Sequence, residues 1–256
     1  MSTVFPPSSV ETLVIALHGG GGNVSSFESY SKLTDEVNAT KRFGVVYPVA
    51  IDNHWNDGRS ELELSSDDVG FIEKIIDTYR EDGYSKFYVV GMSNGGVMAQ
   101  RIACELGSKI NGIAVVAATQ STVLQGSCLD RNAMDVMFVF GSEDSAFVEN
   151  GDIVNPLVPS QIRGHHIGID ATLEYWLGRN LCLDFLSLEK TLDTKDDNTV
   201  VELYAATACV SKVAYFKVED GGHRWPDPEA INWLPAVKFA SHEISTAKEI
   251  VNFFGL

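Results

Sequence analysis

The sequence predicts an α/β domain with a mainly parallel central sheet and helices on both faces. Three observations predict it. Short apolar runs recur along the 256 residues, at 12–17, 43–47, 87–90, 113–116, 136–140 and 213–218. These runs are continuously apolar rather than alternating, which suits strands covered on both faces. Helix-like segments lie between them, and the alternation of strand with helix favours parallel pairing.

In chain order, Thr12 to Leu17 is the first strong strand, and the loop Leu17-His18-Gly19-Gly20-Gly21-Gly22-Asn23 follows it. A helix is predicted over 27–39 and a second strand over 43–47. Ser65-Ser66-Asp67-Asp68 caps a helix over 67–81. Lys86 to Val90 feeds the turn Gly91-Met92-Ser93-Asn94-Gly95, and a helix is predicted over 93–106. Strands at 113–116 and 136–140 come next. The second of these ends in Gly141-Ser142-Glu143-Asp144-Ser145. The longest break in the pattern follows, with a helix over 169–177 and the acidic run Asp193-Thr194-Lys195-Asp196-Asp197. An insertion of this length is expected to cover a nearby site. The last strand, 213–218, leads into Gly221-Gly222-His223-Arg224-Trp225-Pro226, and the final helix is predicted over 241–254. One catalytic domain over 1–256 is therefore expected, with 145–207 as a covering insertion.

Composition narrows the function classes. Hydrophobic residues make up 45% of the chain, enough for a full core, and the formal net charge is −16. Lys and Arg do not cluster, so a nucleic-acid partner is not expected. The acidity disfavours anionic substrates and membranes. No apolar run approaches the length of a membrane span, and residues 1–7 lack the basic and apolar regions of a signal peptide. The cysteines are Cys104, Cys128, Cys182 and Cys209, with no C-x-x-C spacing. Cys104 reads as a small buried residue in the helix after Ser93, while Cys182 and Cys209 are open to a bridge.

The turn around Ser93 carries the chemistry. A strand, a Gly-x-Ser-x-Gly turn and a helix, in that order, form the setting of a nucleophile elbow. The helix N-terminus favours negative charge developing at the serine. A serine hydroxyl needs a base, and the base needs an orienting carboxylate. In hydrolase order the acid and then the histidine follow the serine, which selects Asp144, with Glu143 as competitor, and His223. An oxyanion hole needs two backbone N–H groups. Asn94, after the serine, is expected to supply one, and the glycine loop at 19–22 the other. That loop lacks both the Gly-Lys-Ser/Thr and the G-x-G-x-x-G patterns of phosphate binders. His165-His166 is a weak metal pair because adjacent side chains diverge. His242 is expected at the solvated start of the last helix, and His54 beside the cleft. No cofactor or metal is called for.

Taken together, Leu-His-Gly-Gly-Gly-Gly-Asn at 17–23, Trp55-Asn56-Asp57-Gly58-Arg59, Asp67-Asp68-Val69-Gly70-Phe71, Gly-Met-Ser-Asn-Gly-Gly at 91–96, Gly-Ser-Glu-Asp at 141–144 and Gly-Gly-His-Arg-Trp-Pro at 221–226 form a specific set. The set resembles the polyhydroxybutyrate-depolymerase-like esterases of the α/β-hydrolase superfamily, which include feruloyl and acetylxylan esterases. The resemblance covers most of the chain. It implies the α/β-hydrolase fold, Ser93 as nucleophile, His223 as base, Asp144 as acid, and Gly20 with Asn94 as oxyanion donors. It implies a bracing role for Asp67-Asp68. It also implies a Cys182–Cys209 bridge in a segment with Trp176 and Asn180, and through that bridge a secreted or periplasmic setting. Asp227 departs from the glycine common at that position in the family.

The expected activity is therefore serine carboxylesterase action on a small-molecule or oligomeric soluble ester, of hydroxycinnamoyl, acetyl or short hydroxyalkanoate type. His18, Trp55 and Trp225 are expected to line the substrate site. The alternatives are a polyester depolymerase, a serine peptidase on the same fold, and a non-catalytic binding protein that keeps the hydrolase fold.

Overall fold

In the computed structural model, residues 2–4, 10–128, 131–230 and 237–256 are described, and among them nine strands share one sheet. The chain opens with β1 (Ser2–Val4) and β2 (Thr12–Leu17), then α1 (Val24–Ser31), α2 (Leu33–Thr40) and β3 (Gly44–Tyr47). The long helix α3 (Asp68–Glu81), β4 (Lys86–Met92), α4 (Asn94–Glu105) and β5 (Gly112–Val116) follow. The second half holds α5 (Thr122–Ser127), β6 (Asp135–Gly141), a hairpin of β7 (Asp152–Asn155) and β8 (Val158–His165), and α6 (Ile169–Arg179). It closes with β9 (Ser187–Leu192), β10 (Val200–Ala206), β11 (Val213–Glu219) and α7 (Thr246–Phe254).

The strand order is β1-β3-β2-β4-β5-β6-β11-β10-β9. The six strands from β3 to β11 are parallel, and β1, β10 and β9 join antiparallel at the margins. The parallel six are the six apolar runs. They must be apolar on both faces because each side chain of β2 meets a core. Leu13, Ile15 and Leu17 face Ile72 and Ile76 of α3 and Val97 and Ile102 of α4. Val14 and Ala16 face Phe27 of α1, Leu33 and Val37 of α2, and Ile250 and Phe254 of α7. Each fully buried side chain of this size contributes about 1.5–3 kcal/mol.

Three differences from the sequence reading concern the framework. The helix expected over 27–39 is two helices, because Lys32 takes a left-handed conformation (φ 60°) that ends α1. The last helix begins at Thr246, so His242 does not start it. His242 is half-buried, with its Nε2 2.9 Å from the Ala230 carbonyl and its N–H donated to Asp197. Residues 145–207, read as an insertion, divide into unlike parts. β9 and β10 extend the main sheet beyond β11, whereas β7 and β8 form a separate hairpin against the turn at Ser60–Leu62. Asn180 fastens the end of α6 to the sheet: it accepts from Met134 N–H and donates to the Met134 and Ser211 carbonyls.

Candidate active site

Four loops at the C-terminal ends of parallel strands converge, after β2, β4, β6 and β11. This is where an open α/β sheet places its ligands. The turn after β4 is the tightest. Ser93 has φ 55° and ψ −122°, outside the regions favoured by L-residues, while its N–H still bonds the Val116 carbonyl. A side chain on Gly91 would collide with the Gly95 carbonyl, and one on Gly95 would strike the Leu17 carbonyl. The two glycines are thus fixed by close backbone approach on either side of the serine.

His223 lies between Ser93 and Asp144. Its Nε2 is 2.9 Å from Ser93 Oγ, and its Nδ1 is 2.9 and 3.1 Å from the two oxygens of Asp144. A carboxylate only accepts, so the partners assign the hydrogen to Nδ1 and leave Nε2 free to accept from the serine. Asp144 is buried and also accepts from the N–H groups of Ala146 and Phe147. Its competitor Glu143 is exposed and lies 3.7 Å from Lys238. The Asp144 and His223 loops are stitched together, because Glu143 N–H donates to the Gly221 carbonyl. The glycines before His223 serve contact rather than mobility: a side chain on Gly222 would collide with the Val237 carbonyl.

The glycine loop lies beside this line. A methyl on Gly19 would sit 3.5 Å from Ser93 Cβ, and one on Gly20 would sit 3.3 Å from Asn94 Cβ and 3.0 Å from the His54 ring. Gly20 therefore borders Asn94, and its neighbour Gly19 borders the serine. The Asn94 side chain has a further task that sequence reading missed. Its Oδ1 accepts from Trp55 N–H at 2.8 Å, and its Nδ2 donates to the Trp55 carbonyl at 2.9 Å and to Asp57 at 2.7 Å.

Two of the expected substrate contacts lie elsewhere. Trp55 is 0% exposed, with its indole N–H bonded to the His18 carbonyl, so it belongs to the core. His18 is also buried. Its Nδ1 lies 2.8 Å from the Gly19 carbonyl, and its Nε2 accepts from Ala50 N–H at 3.4 Å. Burial holds its pKa below the usual histidine value. A neutral ring donating at Nδ1 fits both contacts, and it braces the glycine loop from below. Trp225 does border the site: with Tyr30, Met92 and His223 it lines a cavity of about 520 Å³. A larger cavity, about 730 Å³, is lined by none of the three linked residues and adjoins them at Phe147. The Phe147 ring is 6.1 Å from that of His223. Of the two cavities, the smaller one is lined by His223 itself.

His165 and His166 do point apart. His165 pairs with Asp152, while His166 is buried between Thr119 and the Val148 carbonyl, and burial lowers its pKa. Among the described residues no group of His, Cys, Asp and Glu forms a cation cluster. Asp67 caps α3 by accepting from Gly70 N–H, and Asp68 accepts from Asn56 N–H and Ser66 Oγ. Asp67 therefore caps the helix, and Asp68 fastens its start to the loop at Asn56. Cys182 and Cys209 form a disulfide, and so do Cys104 and Cys128. Cys104 is thus half of a bridge rather than a free buried thiol. Its partner in sequence, 24 residues away, gave no spacing signal.

No protein-family model and no curated protein matches the sequence. Solved structures do. The acetyl xylan esterase from Aspergillus awamori superposes with a TM-score of 0.62 at 14% identity, covering 99% of this chain and 92% of that one. The chain has the α/β-hydrolase fold. A thermostable esterase of known structure matches more locally, with a TM-score of 0.44 at 13% identity, over 56% of this chain and 42% of its own. Within this fold Ser93 lies in the turn after β4, and Asp144 and His223 lie in the loops after β6 and β11.

Proposed function

We propose that this protein is a serine carboxylesterase that cleaves soluble esters through an acyl-enzyme. The observation that carries the reading is the unbroken hydrogen-bond line from Ser93 through His223 to Asp144 at the mouth of a hydrolase-fold sheet. Ser93 Oγ attacks the ester carbonyl while His223 Nε2 takes its proton. The tetrahedral oxygen is held by the N–H groups of Gly20 and Asn94. As the carbonyl re-forms, the C–O bond to the alcohol breaks, and His223 returns the proton to the departing oxygen. Water then repeats the sequence on the acyl-enzyme and releases the acid. Asp144 keeps one imidazole tautomer and stabilises the imidazolium.

The cavity beside Trp225 and Met92 would receive a small or planar group, which suits hydroxycinnamoyl, acetyl or short hydroxyalkanoate esters. The likeness to an acetyl xylan esterase supports the acetyl end of that range. The sequence motifs support membership of the depolymerase-like esterases. The β7–β8 hairpin and the 145–151 loop would form the flank that shields the acid. Two disulfides favour an oxidising compartment, and among the described residues no helix is long and apolar enough to cross a membrane.

The test is a fluorophosphonate probe followed by peptide mapping, together with feruloyl, acetyl and 3-hydroxybutyryl esters and a peptide amide as comparison. Labelling of Ser93 with turnover of at least one ester is expected. An unlabelled protein, or one that cleaves only the amide, would overturn the reading.

A further inference from the structure

We propose that the buried Asp57–Arg59 ion pair is a positioning device that fixes Asn94, and through it the oxyanion donor beside Ser93. The proposal rests on the esterase reading and adds two residues to its machinery. Asp57 is 0% exposed, and Arg59 and Asn94 are each 5% exposed. Arg59 Nε lies 2.9 and 3.0 Å from the two Asp57 oxygens, and its Nη2 is 2.5 Å from Oδ2. The same Oδ2 accepts from Asn94 Nδ2 at 2.7 Å. The Asn94 amide is therefore held on both sides, by Trp55 backbone and by a charge-assisted bond to Asp57.

Asn94 is the first residue of α4, so helix geometry leaves its N–H without an intrahelical acceptor. That N–H is the one expected to meet the tetrahedral oxygen. A side chain locked in place fixes the peptide that carries it, at a turn already strained at Ser93. The donor then needs no reorganisation as charge develops.

Arg59 extends the arrangement to the other half of the site. Its Nη1 donates to the Arg163 carbonyl in β8, and Gly164, at φ 136°, brings backbone against the arginine stem, where a side chain would crowd Cδ. β8 pairs with β7, and Val154 N–H of β7 donates to the Ala146 carbonyl. Ala146 and Phe147 in turn supply the N–H groups that hold Asp144. The nucleophile turn and the acid loop are thereby joined through one buried arginine, in addition to their contact through His223. A buried ion pair is a weak source of net stability, since apolar side chains of similar volume often replace it without loss. Its fork geometry, by contrast, fixes direction.

The experiment measures kcat, KM and the rate of fluorophosphonate labelling for Asp57→Asn, Arg59→Lys and Asn94→Ala, singly and with Asp57→Asn and Asn94→Ala combined. Near-ultraviolet circular dichroism and melting confirm folding. A donor displaced only in the transition state lowers kcat and labelling together. Asp57→Asn is expected to reduce both by about 10- to 100-fold with KM changed less than about threefold, and Arg59→Lys by a smaller factor. Asn94→Ala added to Asp57→Asn should cost little more, because both act through one contact. Folded variants that label at the wild-type rate, or losses that simply multiply, overturn the positioning role and leave the esterase reading intact. If Asp57→Asn does not fold, Arg59→Lys decides on the same criteria. A wild-type protein that is not labelled at Ser93 removes the esterase reading and this proposal together.

Discussion

Ser93 Oγ and His223 Nε2 stand 2.9 Å apart although 130 residues separate them in the chain. The serine reaches that position at the expense of its own backbone, which is held at φ 55°. In the esterase reading, function and local stability therefore pull against each other at one residue, and two substitutions separate them. Ser93→Ala should lower turnover by about 10⁴-fold or more while leaving the fold intact. Ser93→Gly should be equally inactive but more stable, by about 1 kcal/mol, because glycine adopts this conformation freely. Chemical denaturation compares the two variants. A glycine variant that unfolds before the alanine variant would show that the turn is not strained.

Asp144→Asn should cripple turnover, whereas Glu143→Gln should be mild. Asp144 faces His223 Nδ1 and accepts two backbone N–H bonds, while Glu143 lies in solvent near Lys238. An amide at 144 can select the wrong imidazole tautomer, a loss on the order of 10⁴-fold in the serine-protease precedent. Steady-state rates on an aryl acetate decide the matter, and greater damage at 143 would reverse the assignment.

Reduction should destabilise the protein through both bridges. They close loops of 24 and 27 residues, and each would contribute about 3–4 kcal/mol in the chain-entropy account. Mass spectrometry of an unreduced digest should find the pairs Cys104–Cys128 and Cys182–Cys209. Melting with and without a thiol reductant gives the energetic side. Free thiols in protein made under oxidising conditions would remove the bridges from the account.

Acid should weaken the fold through His18 and His166. Burial holds both pKa values below the usual histidine value, so the folded state binds fewer protons than the unfolded chain. The stabilisation is complete above the unfolded pKa of about 6.5 and is lost as pH falls below it toward the folded values. Urea unfolding at pH 7.5, 6.5 and 5.5 should show the decline. His166→Gln should be less stable throughout but should have a shallower slope. An unchanged slope would mean that His166 does not contribute to the effect.

The parallel strands were legible because a strand covered on both faces must be apolar at every position, as Leu13 to Leu17 shows. Strands β9 and β10 were not. Their outer position leaves Glu189, Lys190 and Glu202 beside Leu188 and Leu203, and such mixed runs carry no strong signal. The Lys32 break was hidden for a different reason: nothing in a lysine announces a left-handed backbone. At the site, chain order and turn chemistry were enough to bring Ser93, Asp144 and His223 to one place. Trp55 misled because sequence adjacency to a polar motif says nothing about which way an indole points. Its ring turns into the core, and the Asp57 and Arg59 side chains two and four residues on make the contacts that reach Asn94.

The crowding around Gly91 and Gly95 has a consequence for how such chains drift apart. Both glycines answer to the backbone on either side of the turn. A descendant that lost the serine hydroxyl would still need them to close the turn. In a diverging lineage the glycines would record inherited shape, and the chemistry would be recorded only by the joint presence of a serine, an acid and a histidine on three separate loops.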